Sequence, residues 1–346
     1  MFVFKSFSVA MKLNQIFWCV LLSTVLFVAF YSYPENSSHK VTSSSRVSST
    51  QKVSRNLTKS KKLFGTELSR LYPVPTRVLH NGRLLYNRVP KCGSSVLAWT
   101  LKRLSKTQKF KCMFQVERDL PTKLTLPEQA NFTQTFNLLP EFTVYIRHLN
   151  FLDFESCNSS NPIYINIIRD PVERAVTTYY YRRFGFAKQS GINQWQKQSL
   201  SDELLHMSLE DCVNKKVIKN CLPEDRTMLA YFCGHELQCR RLGPYALQKA
   251  KLNVMKHFHV VGLLEDMKNT LKVFEALLPR YFQGVQDVYL TSPEINGTKT
   301  HSRVDPPEYI KTLIREYLQP EVEFYEFVRQ RFYQQLEKLT RLKLVQ

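Results

Sequence analysis

Two short stretches carry side chains whose types and order suit the binding of anions. Pro90-Lys91-Cys92-Gly93-Ser94-Ser95 offers an ammonium, a glycine and two hydroxyls in a run of small residues. It follows the apolar run Leu84-Leu85-Tyr86 and precedes Val96-Leu97-Ala98-Trp99, where apolar residues resume at helical spacing. A strand, a tight small-residue loop and a helix start together aim backbone N–H groups at a phosphate or sulfate. The order G-x-x-x-x-G-K-[ST] is absent, because the lysine precedes the glycine and the loop is shorter. On this stretch alone, an ordinary strand-to-helix turn reads the same way. Arg169-Asp170-Pro171 is the second stretch, at the end of the β-branched run 162–168, with Thr177 and Thr178 two turns into the following helix. A helix-capping ion pair explains one such junction. Two basic, hydroxyl-bearing junctions beyond strand ends suit a ligand with two separated phosphate groups.

Positioning these groups requires strands followed by helices, and the chain supplies them in alternation. Strands are predicted at 84–86, 110–116, the start of 141–154, 162–168 and 258–263, the fourth being β-branched enough to lie buried on both faces. Helices are predicted at 96–104, within 121–137, from Pro171 through Tyr179-Tyr180-Tyr181, and at 200–213, 245–256 and 267–278. Residues 309–342 read as a long helical tail broken at Pro320, after a polar loop over 291–307 that carries Lys299, His301 and Arg303. Arg147 and His148 fall at the tip of the loop that ends the third strand. The expected class is α/β, with a central, mostly parallel sheet flanked by helices.

Formal net charge is +20 over 346 residues, of which the first 33 carry +2, residues 34–62 carry +6, and the remainder +12. The folded part itself is therefore basic and suited to a polyanion: nucleic acid, an anionic membrane surface or an acidic polysaccharide. Ile16 to Tyr33 is 18 residues without a charge, long enough to span a bilayer core and longer than a typical cleaved signal. All five N-x-[ST] sequons, at Asn36, Asn56, Asn131, Asn158 and Asn296, follow that run. The organisation expected is a short cytoplasmic tail (1–15), a transmembrane signal-anchor (16–33), a Ser/Thr/Lys-rich disordered stem (34–62) and a lumenal domain (63–346). Cys212 and Cys221, nine apart, and Cys233 and Cys239, six apart, are spaced for short-loop disulfides in an oxidising lumen and not for zinc. Cys92, Cys112 and Cys157 remain, so at least one is free or paired between chains. Nucleic acid, which the charge alone would allow, is excluded by that compartment.

N-R-V-P-K-C-G-S-S, R-H-L-N-F-L-D-F, P-I-Y-I-N-I-I-R-D-P-V-E-R, Y-Y-Y-R-R-F-G and Y-F-C-G-H stand here in one order, from about Leu84 to Leu339. In this the chain resembles the Golgi uronyl 2-O-sulfotransferases, with their dermatan/chondroitin and heparan sulfate branches. The resemblance implies a P-loop-like sulfotransferase fold and 3′-phosphoadenosine 5′-phosphosulfate (PAPS) as sulfuryl donor, with no metal. Under it, Lys91 with Cys92, Gly93, Ser94 and Ser95 forms the 5′-phosphosulfate loop. Arg169 and Thr177 hold the 3′-phosphate, Thr177 standing where the family has serine, and Arg303 falls in the loop that closes over the nucleotide. His148 matches the catalytic histidine, an imidazole with the intrinsic basicity to take a proton from a sugar hydroxyl, and Lys91 stabilises the leaving oxygen. Arg88, Arg147, Arg182 and Arg183, with Arg240 and Arg241, are candidates for holding the acidic polysaccharide. A homotrimer, with the helical tail near the partner chain, is also implied.

Lys91-Cys92-Gly93-Ser94 and Ile146 two residues before His148 look like the dermatan/chondroitin branch, since the heparan branch has Thr-Ala-Ser after the lysine and a histidine at the earlier place; Pro90 is heparan-like. A uronyl 2-O-sulfotransferase of the dermatan/chondroitin type is thus expected, a heparan 2-O-sulfotransferase being the alternative. A glycosaminoglycan-binding membrane protein without catalysis is the rival of another class, for which His148 would be dispensable.

Overall fold

The structure, a computed structural model, describes residues 82–115, 120–185, 202–216, 218–222 and 227–345. The expected span 16–33, the stem 34–62 and the sequons at Asn36 and Asn56 lie outside the described residues. Among the described residues, no helix is long and apolar enough to cross a membrane.

Five strands form one sheet: β1 (Leu84–Asn87), β2 (Lys111–Phe114), β3 (Thr143–Arg147), β4 (Ile163–Ile168) and β5 (Phe258–Leu263), in the order β2-β3-β1-β4-β5. Among the described residues every pairing is parallel, as the mostly parallel sheet expected from the sequence requires. β1, β3 and β4 are buried at every position, as mostly apolar strands are when helices cover a parallel sheet, and the burial takes in the polar Asn87, Thr143, Arg147 and Asn166. The chain leaves β1 for the β2 side and then crosses to β4, which places the change of direction beside β1. Ligands of such sheets sit outside the carboxyl ends of the strands at that point.

The crossover helices begin with α1 (Ser94–Thr107), which links β1 to β2, and α2 (Leu126–Asn137), which precedes β3 and carries a reciprocal Thr125/Glu128 cap. From β4 the chain enters α3 (Pro171–Phe184), where the Asp170 carboxylate accepts the Glu173 N–H as N-cap and Pro171 supplies the first turn. One side of α3, through Val172, Val176, Tyr179 and Tyr180, packs against a satellite cluster. That cluster comes from Met207, which follows α4 (Asp202–His206), from α5 (Leu209–Lys215) and α6 (Ile218–Cys221), and from Ile310, Ile314 and Leu318 further along. The single helix expected at 200–213 is two, because Ser208 adopts an extended conformation and caps Asp211 with its side chain. Further on are α7 (Met228–Cys233) and α8 (Pro244–His257), then α9 (Met267–Leu277), α10 (Pro279–Phe282), α11 (Val285–Leu290) and α12 (Glu294–Gly297). The loop expected over 291–307 thus contains one helical turn. The tail consists of α13 (Glu308–Tyr317) and α14 (Gln319–Arg341), with Pro320 in the first turn of α14 and the break at Leu318.

Cys212–Cys221 and Cys233–Cys239 are bridged, and Cys92, Cys112 and Cys157 are free. Closing a nine-residue loop in a module as small as α5–α6 contributes about 2–3 kcal/mol. Cys212→Ser is therefore expected to lower the protein's stability by that amount, read from denaturant unfolding. Asn158 is exposed in a turn, whereas Asn131 is exposed within α2 and its sequon partner Thr133 is buried.

Candidate active site

Three neighbouring strands, β3, β1 and β4, deliver the site. Their carboxyl ends run into His148, the Lys91 loop and Arg169 respectively.

The loop after β1 turns within a few residues, with Lys91 at φ 63° and Gly93 at φ 70°, both left-handed. Gly93 is the N-cap of α1 and its carbonyl accepts from Val96 N–H, so the first-turn N–H groups of α1 face out of the loop. A Cβ on Gly93 would lie 2.5 Å from Leu264 Cδ1, in a backbone conformation that L side chains avoid. Gly93→Ala is accordingly expected to cost about 1–2 kcal/mol of stability and to weaken nucleotide binding further. Thermal unfolding with and without 3′-phosphoadenosine 5′-phosphate (PAP) checks both.

Lys91 Nζ lies 3.8 Å above the Tyr181 ring of α3. Burial, and then the Arg169 guanidinium, pull its ammonium down to about 7. Cys92 is fully buried and its thiol is pushed up to about 12, chiefly by burial, so it is a packing residue and not a nucleophile. Ser94 is buried and Ser95 partly exposed, its Oγ accepting from Arg88 Nη1 at 3.5 Å.

After β4, Arg169 Nη1 donates to Thr177 Oγ1 at 2.9 Å and reaches the Lys91 carbonyl at 3.5 Å, so the two strand ends adjoin. Arg303 arrives 126 residues later and donates to the same Thr177 oxygen at 2.9 Å. Both guanidinium groups also meet Glu173 Oε2, Arg303 at 2.6 Å and Arg169 at 3.4 Å, and Arg303 pairs with Asp305 at 2.6 Å. The Arg303 loop is tied to the end of α3 by His301 N–H donating to Gly185 O. Lys299 and His301, in the same loop, are exposed. Burial and the neighbouring Arg303 charge lower the Arg169 pKa, as expected of two cations crowded onto one hydroxyl. This donor set suits a dianionic group. Glu173, Thr177 and Tyr181 form one stripe at i, i+4 and i+8, so a single face of α3 serves both the loop and the arginines.

His148 Nδ1 lies 2.8 Å from the Arg88 carbonyl. A carbonyl only accepts, so Nδ1 carries the hydrogen and, in the neutral ring, Nε2 holds the lone pair of a general base. Burial first, then the Arg88 and Arg147 charges, pull the ring down to about 3 against the opposing pull of that hydrogen bond. It is therefore neutral throughout the physiological range.

The expected arginines divide. Arg88 lies between the Lys91–Ser95 loop and Phe114, its guanidinium carbon 4.9 Å from that ring. Arg147 is buried and donates to the Pro121 carbonyl, and Arg183 is buried against Tyr179, donating to its carbonyl. Arg182 falls on a different face of α3 from Thr177 and borders a cavity of about 40 Å³ with Arg174, Thr178 and Glu321. Arg240 and Arg241 are exposed. Tyr181 and Glu173 received no role from sequence, although their spacing from Thr177 was visible. Among the described residues, no three His, Cys, Asp or Glu side chains gather as a metal site.

A family model described as the sulfotransferase family matches residues 75–328. The chain belongs to the sulfotransferase family. Similar members of known activity include the uronyl 2-sulfotransferases of Mus musculus and Homo sapiens, each 34% identical, over 77% and 75% of this chain. These alignments span 66% and 65% of the two relatives, just under two thirds of their length. Heparan sulfate 2-O-sulfotransferase 1 of Gallus gallus is 30% identical over 72% of this chain and 70% of its own. A solved structure of mouse sulfotransferase SULT7A1 complexed with PAP covers 72% of this chain and 68% of that one at 13% identity and TM-score 0.30, a likeness too loose to bear on the site. Within the sulfotransferase family, two adjoining anion cradles beside one histidine have a direct chemical use.

Proposed function

We propose that this protein moves the sulfuryl group of PAPS to the 2-hydroxyl of uronic acid residues in dermatan or chondroitin sulfate. One observation carries the reading: three adjacent strands end in a histidine with a bare Nε2, a lysine-bearing helix start, and an arginine–threonine cradle. Arg169, Arg303 and Thr177 hold the 3′-phosphate, and Lys91 with the N–H groups of residues 92–95 holds the 5′-phosphosulfate. His148 Nε2 takes the proton as the 2-oxygen bonds to sulfur. The bond from sulfur to the bridging phosphate oxygen breaks, and the charge gathering on that oxygen is met by Lys91 and the loop amides. A uronate carboxylate paired with Arg88 offsets the cation that depresses the His148 ring, raising its basicity when acceptor is bound. The similarity to uronyl 2-sulfotransferases supports transfer to the 2-position of a uronyl residue, and the Lys91-Cys92-Gly93-Ser94 loop favours the dermatan/chondroitin acceptor. The chain is further read as a single-pass type II Golgi membrane glycoprotein, anchored by 16–33, held off by the stem 34–62, glycosylated in the lumen and assembled as a homotrimer.

The titrating groups set the expected pH dependence. Lys91 is charged below about 7, so donor affinity is full there and falls above pH 7, by up to about tenfold per unit. His148 stays neutral down to about 3, so the acid limb of kcat/KM lies well below the 6.5 of an ordinary histidine. A kcat/KM profile from pH 4 to 9 should show the basic limb near 7 and no acid fall near 6.5; an optimum above pH 8 would contradict the Lys91 assignment.

Assaying the protein with labelled PAPS against dermatan, chondroitin and desulfated heparan tests the acceptor. Label in dermatan or chondroitin is expected; transfer to heparan alone would overturn the choice of branch.

A further inference from the structure

We propose that Asn87 is a positioning residue for His148, acting through a buried amide network at the ends of β1, β4 and α7. The inference rests on the reading of His148 as the base. Asn87 and its neighbour Arg88 hold three consecutive residues, the last of β3 and the first two of the loop after it. Arg88 N–H donates to the Arg147 carbonyl at 3.0 Å, the Arg88 carbonyl accepts from His148 Nδ1 at 2.8 Å, and Asn87 Nδ2 donates to the Leu149 carbonyl at 3.3 Å. The histidine is thereby gripped before, on and after its ring.

The second hydrogen of Asn87 Nδ2 goes to the Tyr231 carbonyl at 2.9 Å, in the last turn of α7. The Tyr231 ring stands against the His148 ring, centroids 6.5 Å apart at 74°. Asn166, in the middle of β4, completes the set: its Nδ2 donates to the Asn87 side-chain oxygen at 3.0 Å and to the Asn87 carbonyl at 2.8 Å. Both asparagines are fully buried. An asparagine amide has two hydrogens and one oxygen, and all three are engaged at Asn87. Turning the amide over would set its oxygen against two carbonyls, so one orientation is fixed by the partners themselves.

The same end of α7 is held from other sides. Asn253 donates to the Phe232 and Cys233 carbonyls and Asn150 to the Gly234 carbonyl. Helix-end carbonyls lack intrahelical partners, and here four successive ones are met by three asparagines. With Asn253 and Asn150 holding α7 independently, loss of Asn87 leaves the helix in place and releases the His148 loop.

The test uses the full-length protein as wild type, Asn87→Ala, His148→Ala and the double variant, measuring kcat for sulfuryl transfer and Kd for PAP. Asn87→Ala is expected to lower kcat ten- to a hundredfold with PAP binding within twofold. In the His148→Ala background the same change is expected to alter residual turnover by less than twofold. Wild-type kcat in Asn87→Ala, or an undiminished Asn87 effect once His148 is gone, overturns the proposal. Wild-type turnover in His148→Ala marks the different failure, that of the base assignment, and removes the proposal with it. If Asn87→Ala does not fold, nitrogen-15 NMR of the wild type decides: the Nδ1–H tautomer of His148 is expected, and the Nε2–H tautomer overturns the arrangement.

Discussion

His148→Ala is expected to lower sulfuryl transfer by about 10²–10⁴-fold, the range for loss of a positioned general base, while PAP binds as it does to the wild type. The two readouts separate because His148 follows β3, whereas the nucleotide-facing groups follow β1 and β4. The ring's polar bond is to the Arg88 carbonyl, so its removal leaves Arg169, Thr177 and Arg303 paired as before. His148→Asn distinguishes proton transfer from mere shape, since an amide can keep the bond to Arg88 but cannot take a proton. It should be as slow as the alanine variant. Isothermal titration of PAP alongside single-turnover transfer measures both quantities. A His148→Ala enzyme with near-normal turnover would remove the base assignment, whereas a wild type that binds polysaccharide without any transfer would favour the non-catalytic alternative.

Lys91→Ala carries the second large effect. Its ammonium is held above Tyr181 and next to Arg169 in a buried setting, where one charge is worth far more than in water. Loss of one preorganised donor to a developing oxyanion costs about 10²–10³ in kcat. The left-handed backbone at φ 63° is unchanged, because alanine carries the same Cβ as lysine. Loss of the contact with the Tyr181 ring should cost about 0.5–2 kcal/mol of stability. PAP affinity should fall less than turnover, since Arg169 and Arg303 still grip the other end. Pre-steady-state transfer rates and PAP titration of the variant give the comparison. Equal losses in both would place Lys91 in ground-state binding alone.

Much of the architecture was legible because parallel strands buried on both faces must be largely apolar, and 84–86, 162–168 and 258–263 are, Asn166 and His259 apart. The two basic junctions were legible only as a pair, since a Lys-Cys-Gly-Ser-Ser or an Arg-Asp-Pro run alone reads equally as an ordinary turn or helix cap. Direction was not legible. Arg147 and Arg183 look like any surface arginine in sequence, yet Arg147 spends its guanidinium on Pro121 and Arg183 on its own helix. The break between α4 and α5 was written in Ser208-Leu209-Glu210-Asp211, a cap pattern hidden inside a run of apolar spacing. Contacts across long separations were out of reach altogether. Thr177 and Arg303 are 126 residues apart, and Asn87 and Asn166 are 79 apart, so neither pairing leaves a local signature.

The most direct measurement of the central claim is the position of the transferred sulfate. Full-length protein, labelled PAPS and a desulfated dermatan acceptor are combined, and the product is cut to disaccharides and separated. The account predicts label on the 2-oxygen of the uronic acid, abolished in His148→Ala. Label on the hexosamine, or no transfer by a protein that still binds PAP, would contradict it.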